Sequence, residues 1–420
     1  MERYRSRSKS TFKPLLFLIG GVFLAMLIFF GIKVQQFYNR IYNPSNGVTQ
    51  PTLPKDKKVF NILMLGYGGG NHEGTYLTDS MMLIHLDLDK KTAVLISIPR
   101  DLWVKVPTDS GADFHIKINA LYQMGLFPNE FPDVSRKYAG DAVLLKKAVS
   151  DITGLTVGNY VAIDFEGFKK AIDIMGGVEI DIAKAFDDYS YPIDGKENDL
   201  CGKDEQFKQI EPYLSGKTLT PEEEDAKKKL FEEHPDLNEF YNNITDAPNE
   251  AFPCRYEHLS FKAGRQFMTG ETALKYVRSR HGLQDGGDFG RASRQQRFVQ
   301  AVKEKVFSIT FIPKIVPLLD EMKKHITMDI TVEQLQKFIS EAPTAGSYKT
   351  TNFVLSTDNL LTPAKAADGQ YILRAEEGED VWTSVQQGIN NVILGITPTP
   401  TPLPTSAVKQ PIKIKASPTQ

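Results

Sequence analysis

Residues 15–32 read LLFLIGGVFLAMLIFFGI, eighteen positions without a charge. A helix of that length crosses the ~30 Å hydrocarbon core of a bilayer. A secretory signal has a shorter apolar core and ends at a small-residue cleavage site. Here Lys33 and Val34-Gln-Gln-Phe-Tyr follow, with no such site. Arg3, Arg5, Arg7, Lys9 and Lys13 precede the run, whereas Lys33 and Arg40 follow it. The excess of positive charge before the span predicts a cytoplasmic N-terminus and a single-pass anchor in the cell membrane. Everything after the span is then expected outside the cytoplasm, where nucleotides are scarce. A cleaved signal is the alternative.

The rest of the chain divides around that anchor. Residues 1–14 form a basic cytoplasmic segment, 15–32 the transmembrane helix and 33–58 a stalk carrying Pro44, Pro51 and Pro54. A folded domain is expected over 59–310, with a polar, acidic insertion at about 183–259. A helix-and-strand extension over 311–395 packs on it. Residues 396–420 are rich in Pro and Thr without periodicity, and disorder is expected there. The net charge of −2 gives no global field for nucleic acid. Cys201 and Cys254 have no metal-ligand spacing. Outside the cytosol they are read as one disulfide closing a loop of the insertion, with two free thiols as the alternative.

Local patterns indicate an α/β domain. Val59-Phe-Asn-Ile-Leu-Met-Leu65 is a buried-strand run, followed by Gly66-Tyr-Gly-Gly-Gly70. No G-K-[ST] follows these glycines, so they are not a Walker loop. Ser80–Asp87 and Thr92–Ile98 are two strands joined by a short turn, Leu88-Asp-Lys-Lys91, which makes an antiparallel hairpin. Centring that hairpin near Lys90 brings Asp79 opposite Arg100 and Asp101. Helical spacing runs from Asp141 to Ile152. Tyr160–Ile163 is a strand, and Asp164 caps a helix that Gly176-Gly177 ends. Val178–Ile182 alternates like a half-buried strand. Thr220-Pro-Glu-Glu223 opens a helix expected over 222–240. Another helix begins near Thr269, and Thr331 caps a further one.

Arginines are unevenly spread. Eleven follow residue 33, and Arg278, Arg280, Arg291, Arg294 and Arg297 are five of them. Arginine offers a planar fork that fits two phosphate oxygens at once. A helix is expected from Asp288, as N-cap, to about Val306. Arg291 and Arg294 then stand in its first turns, where they oppose the helix dipole at a cost of about 0.3–1 kcal/mol each. A bound anion reverses that cost. A phosphate site and a solvated helix face both remain open on this segment alone. Asp79 and Asp101 are read likewise as a Mg²⁺ half-site or as a loop-end salt bridge.

Seven motifs occur in order: Thr78-Asp-Ser80, Ser97-Ile-Pro-Arg-Asp101, Lys117-Ile-Asn-Ala120, Tyr160-Val-Ala-Ile-Asp-Phe-Glu-Gly-Phe168, Gly176-Gly-Val-Glu-Ile180, Ala273-Leu-Lys-Tyr-Val-Arg-Ser-Arg-His281 and Asp288-Phe-Gly-Arg-Ala-Ser-Arg-Gln-Gln296. Over Val59 to Val306, with the insertion set aside, the chain closely resembles the LytR-CpsA-Psr family. The resemblance implies an α-β-α sandwich around a central mixed β-sheet, with a long lipid-holding cavity. It implies a membrane-anchored phosphotransferase that moves a glycopolymer from undecaprenyl pyrophosphate to peptidoglycan, as a phosphodiester on the N-acetylmuramic acid C6 hydroxyl. By the same resemblance Asp79 and Asp101 match the carboxylates near Mg²⁺, with Mn²⁺ as an alternative ion. Arg100, Arg278, Arg280 and Arg291 match the pyrophosphate-binding arginines, with Gln295 beside them and Lys117 and Arg294 as weaker matches. Many members have arginine two positions before the first aspartate, where this chain has Leu77. Two rival readings are a polyprenyl-pyrophosphate pyrophosphatase and a non-catalytic lipid-binding or regulatory wall protein.

Overall fold

The computed structural model describes residues 29, 31–42, 58–70, 74–214, 219–284, 286–306, 314–341 and 347–396. The apolar run 15–32 therefore lies mostly outside the described residues, as do most of 43–58 and nearly all of 396–420. Among the described residues no helix is long and apolar enough to cross a membrane.

The fold is mixed α/β around one mixed sheet. Its strands are β1 (Val59–Tyr67), β2 (Thr78–Asp87), β3 (Thr92–Ser97), β6 (Asn159–Asp164), β11 (Ile326–Met328) and β12 (Lys349–Val354). They lie in the order β11-β6-β1-β2-β3-β12. β1 runs antiparallel to β2 and parallel to β6, and β3 runs antiparallel to β2 and parallel to β12. The β2–β3 hairpin pairs Asp87 with Thr92 and Met82 with Ser97. Its turn is closed by Asp87, whose Oδ1 accepts from the backbone N–H groups of Asp89 and Lys90 at 3.1 and 2.9 Å. A short polar side chain satisfying its own turn is a common way to fix such a register.

Both outer strands, β11 and β12, come from residues 311–395. That segment completes the sheet as well as packing on it. The region after the apolar run behaves similarly. Residues 31–41 are helical, and Tyr38 and Ile41 bury against Met328 and Ile330. Lys33 also pairs with Asp320 at 3.0 Å. The beginning of the expected stalk is thus docked on the domain.

One face of the sheet, with Leu63, Leu65, Leu83, Val94 and Ile96, packs on Leu144, Val149 and Ile152 of helix Val143–Thr153 and on Val385 and Ile389 of helix Thr383–Leu394. On the other side Phe60 and Ile62 meet Phe338 of helix Val332–Glu341. A second core joins helix Phe165–Met175, helix Gly270–Arg278 and helix Gly287–Val306 through Ile172, Leu274 and Phe298. The Phe165 helix begins as its sequence predicts, with Asp164 accepting from Gly167 N at 2.7 Å, and ends at left-handed Gly176.

Several expectations are revised. The ribbon of β4 (Trp103–Val106) with β5 (Phe114–Lys117) escapes single-sequence reading, whereas β7 (Val178–Ile182) is the half-buried strand expected there and only its partner, β10 (Gly264–Met268), is new. The stretch 183–259 opens with β8 (Phe186–Pro192) and closes within β9 (Tyr256–Phe261). These strands pair, and Phe186, Leu259 and Phe261 belong to the second core. The excursion therefore lies between them. It has its own small core around Leu237, Phe240 and Phe252 and a Cys201–Cys254 disulfide. Its helix expected over 222–240 is two helices, Pro221–Glu233 and Pro235–Asp246, because Pro235 lacks the N–H that would continue the first.

Candidate active site

The site lies where the open end of the β2–β3 hairpin meets the two arginine-bearing helices. Continuing the hairpin register three residues beyond the last ladder pair, Met82 with Ser97, brings Asp79 to Arg100, and Arg100 Nη1 donates to Asp79 Oδ1 at 2.5 Å. Asp101 follows and turns inward. It is buried and held by Lys117 Nζ at 2.8 Å, with Arg100 Nε at 3.7 Å. Lys117 reaches it because β5 ends there, its Lys117 paired with Trp103. The two aspartates thus differ: Asp79 lines the cleft, while Asp101 braces Arg100 and Lys117 from behind.

The facing wall comes from helix Gly270–Arg278, the extended residues after it and the start of helix Gly287–Val306. A cleft of about 210 Å³ is lined by Asp79, Arg100, Arg278, Arg280, Arg291 and Gln295, among others. Arg278 stacks on Phe165, with its guanidinium carbon 4.3 Å from the ring centroid, and its ion-pair partner Asp194, at 3.5 Å, is exposed. Gln295 accepts from Ser80 Oγ at 3.0 Å and donates to Val277 O at 3.3 Å, which ties the two walls together.

Asp288 differs from its expected role. The helix begins one residue earlier, at Gly287, whose φ of 78° suits a residue without a Cβ. Asp288 therefore sits inside the first turn. Its carboxylate pairs with Arg280 Nη2 at 2.7 Å and Arg291 Nη2 at 3.0 Å. Burial pushes its pKa up, but Arg291 and Arg280 outweigh burial and hold it below the ordinary carboxylate value. Burial also lowers the Arg291 guanidinium to about 10, opposed by Asp288 and assisted by Arg280. At Arg100 burial works downward too, yet Asp79 and Asp101 more than offset it, and its pKa lies above the usual value.

Arg294 is the expected ligand-binding arginine that the structure takes out of the cleft. Its side chain is fully buried. Nε donates to Tyr276 O at 3.0 Å, Nη2 donates to Ser279 O, and the guanidinium lies over Phe186. It caps carbonyls at the end of the Gly270 helix. Arg291 and Arg294 are three positions apart, a spacing that puts them nearly on one helix face, so periodicity alone could not part them. Asp188, Phe165 and Tyr191 line the cleft without having been singled out. Asp188 and Tyr191 lay in the stretch read as insertion, and Phe165 carried only the signal of a motif.

The lining carries four guanidiniums, on Arg100, Arg278, Arg280 and Arg291, against two carboxylates, on Asp79 and Asp188. Such a lining suits phosphate-like anions, because each arginine fork fits two of their oxygens at once. Residues 28–387 match the LytR_cpsA_psr family, and the chain belongs to that family. It is 23% identical over 372 residues to the polyisoprenyl-teichoic acid–peptidoglycan teichoic acid transferase TagU of Oceanobacillus iheyensis, covering 85% of this chain and 86% of the relative. It is 25% identical over 327 residues to the corresponding transferase TagV of Bacillus subtilis, covering 74% of this chain and 63% of the relative. Among solved structures, the protein gbs0355 of Streptococcus agalactiae has the same fold, with a TM-score of 0.50 and 18% identity over 84% of this chain and 92% of that one.

Proposed function

We propose that the chain is a transferase that moves a glycopolymer from a polyprenyl-pyrophosphate carrier, undecaprenyl pyrophosphate, to peptidoglycan. The convergence of Arg100, Arg278, Arg280 and Arg291 around Asp79 in one cleft is the observation that supports this reading most. The names of its relatives agree with it. The uncharged run 15–32, with its preceding basic residues, supports a single membrane anchor and an extracytoplasmic domain.

The chemistry follows from the residues. An acceptor hydroxyl, on C6 of N-acetylmuramic acid, bonds to the phosphorus next to the polymer. The bond from that phosphorus to the bridging oxygen breaks, and polyprenyl phosphate leaves. Transfer of this kind is catalysed chiefly by positioning and by neutralising phosphate charge. Arg278, Arg280 and Arg291 suit the second task. Asp79 is the carboxylate exposed to the cleft and takes the acceptor proton. Asp101, buried on Lys117, keeps Arg100 and Lys117 in place.

Asp79 also fits Mg²⁺, which binds through one or two carboxylates together with substrate phosphates; Mn²⁺ is the alternative. Asp101 fits less well, because its two oxygens already face Lys117 and Arg100. Such an ion supplies additional screening of phosphate charge when bound. The test is a transfer assay with purified chain, lipid-linked polymer and peptidoglycan oligomers. Arg278→Ala and Arg291→Ala should each abolish most of the product. Unchanged product in both variants would sink the reading, and free polymer phosphate without peptidoglycan product would mark a hydrolase instead.

A further inference from the structure

Arg278 and Arg280 are separated by Ser279, and that residue is more constrained than either arginine. Ser279 is fully buried and ends the Gly270 helix in an extended conformation, with φ −47° and ψ 134°. Its N–H donates to Lys275 O at 3.0 Å, and its carbonyl accepts from Arg294 Nη2. Its hydroxyl donates to Asp188 Oδ2 at 2.6 Å. The next backbone donor but one, His281 N, reaches the same oxygen at 3.1 Å. Asp188 Oδ1 accepts from Ser190 N at 2.9 Å.

Asp188 has no solvent exposure, and a buried carboxylate without compensating donors is strongly unfavourable. Three donors meet that cost here, and two of them belong to the 279–281 backbone and its serine. Ser279 is thus pinned to Asp188 at the point of the chain between Arg278 and Arg280, and both arginines line the cleft together with Asp188. Nothing in core packing asks for a carboxylate at this point of β8. Its neighbours on the second core, Phe186 and Tyr191, are aromatic.

We propose that Asp188, acting through Ser279, is a positioning residue that sets the spacing of Arg278 and Arg280 for a two-phosphate ligand. The proposal rests on reading the cleft as a pyrophosphate site. It concerns spacing, so it separates ligands by size. Inorganic pyrophosphate engages both arginines at once, whereas orthophosphate can be held by one.

The experiment titrates the full chain in detergent with inorganic pyrophosphate and, separately, with orthophosphate, by calorimetry in the presence of Mg²⁺. Ser279→Ala and Asp188→Asn should each weaken pyrophosphate binding about tenfold, the loss of one hydrogen bond to a charged group. Orthophosphate affinity should change less than about twofold, because one fork is intact. The double variant should be no weaker than Asp188→Asn alone, since the two act through one bond. Equal losses for both anions, no loss for either, or additive losses would each overturn the proposal. If Asp188→Asn fails to fold, Ser279→Ala decides between the outcomes by its anion ratio. Arg280→Ala serves as the control on the underlying reading. An unmodified chain that binds neither anion, or an Arg280→Ala variant that binds pyrophosphate normally, overturns the cleft reading and this proposal with it. Loss in Arg280→Ala with no change in Ser279→Ala overturns the proposal alone.

Discussion

The hairpin wall and the helix wall of the cleft present the same side-chain types, but hold them differently. On the hairpin wall, Asp79 and Arg100 meet because a ladder of backbone hydrogen bonds fixes which residues face each other. On the helix wall, Arg278, Arg280 and Arg291 depend on a web of side chains: Phe165 under one, Asp288 between the other two, Ser279 and Asp188 behind. A ladder tolerates the loss of one side chain. A web shares each member among several partners, so a substitution there spreads. The helix wall should therefore show the larger and less local responses.

The sharpest way to break that contrast is Arg294→Met. It leaves the Tyr276 and Ser279 carbonyls without their charged donor and should cost about 3 kcal/mol of stability, read by denaturant unfolding. A variant as stable as the parent but unable to bind anion would place Arg294 among the ligand-binding arginines and erase the distinction between it and Arg291. Next comes Arg280→Ala, which should lower the transfer rate about a hundredfold, as expected for removing one preorganised charge donor. On the hairpin wall, Arg100→Lys keeps the charge and loses the fork. A smaller drop of about tenfold, with unchanged melting, is expected in the same assay. A drop as large as that of Arg280→Ala would show that the two walls respond alike.

The smallest effect concerns pH. The folded-state pKa of Asp288 is depressed by Arg291 and Arg280, against the push of burial. A depressed carboxylate contributes stability that is fully present above its unfolded pKa and lost as pH falls through its folded pKa. The stability gap between the parent and Asp288→Asn should be flat above about pH 5 and shrink toward strongly acid pH. A gap that grows on acidification would rule out this ion-pair role.

The same contrast explains how much could be read in advance. The strands of the central hairpin, their register and the Asp79–Arg100 meeting were legible, because side-chain period and turn length together determine a hairpin. The Asp164 cap and the Thr220 capping box were legible because capping is local. The family resemblance carried the mixed sheet and the list of arginines. It did not carry their division of labour. Arg294 differs from Arg291 only through what packs against it, and that information sits in Tyr276, Ser279 and Phe186, far from any helix period. Asp188 was illegible for a related reason. The strand that carries it runs straight into a stretch of polar residues, and its partner strand β9 begins at Tyr256, after the whole excursion. Pairing over such a distance leaves no local trace.

That excursion leaves and rejoins the domain at one place. Pro192 pairs with Tyr256, and Ile193 N donates to Arg255 O at 2.8 Å, so its two ends are neighbours across a ladder. Between them the chain closes on itself with its own core and the Cys201–Cys254 bond. In engineering terms this is a socket. A segment grafted at residues 193–255 inherits a preset pair of anchor points, and the strand beneath them, which carries Asp188 and Tyr191, continues into the cleft wall. Length can thus be added or exchanged there without redrawing the sheet, and whatever is plugged in stands beside the arginines of the cleft.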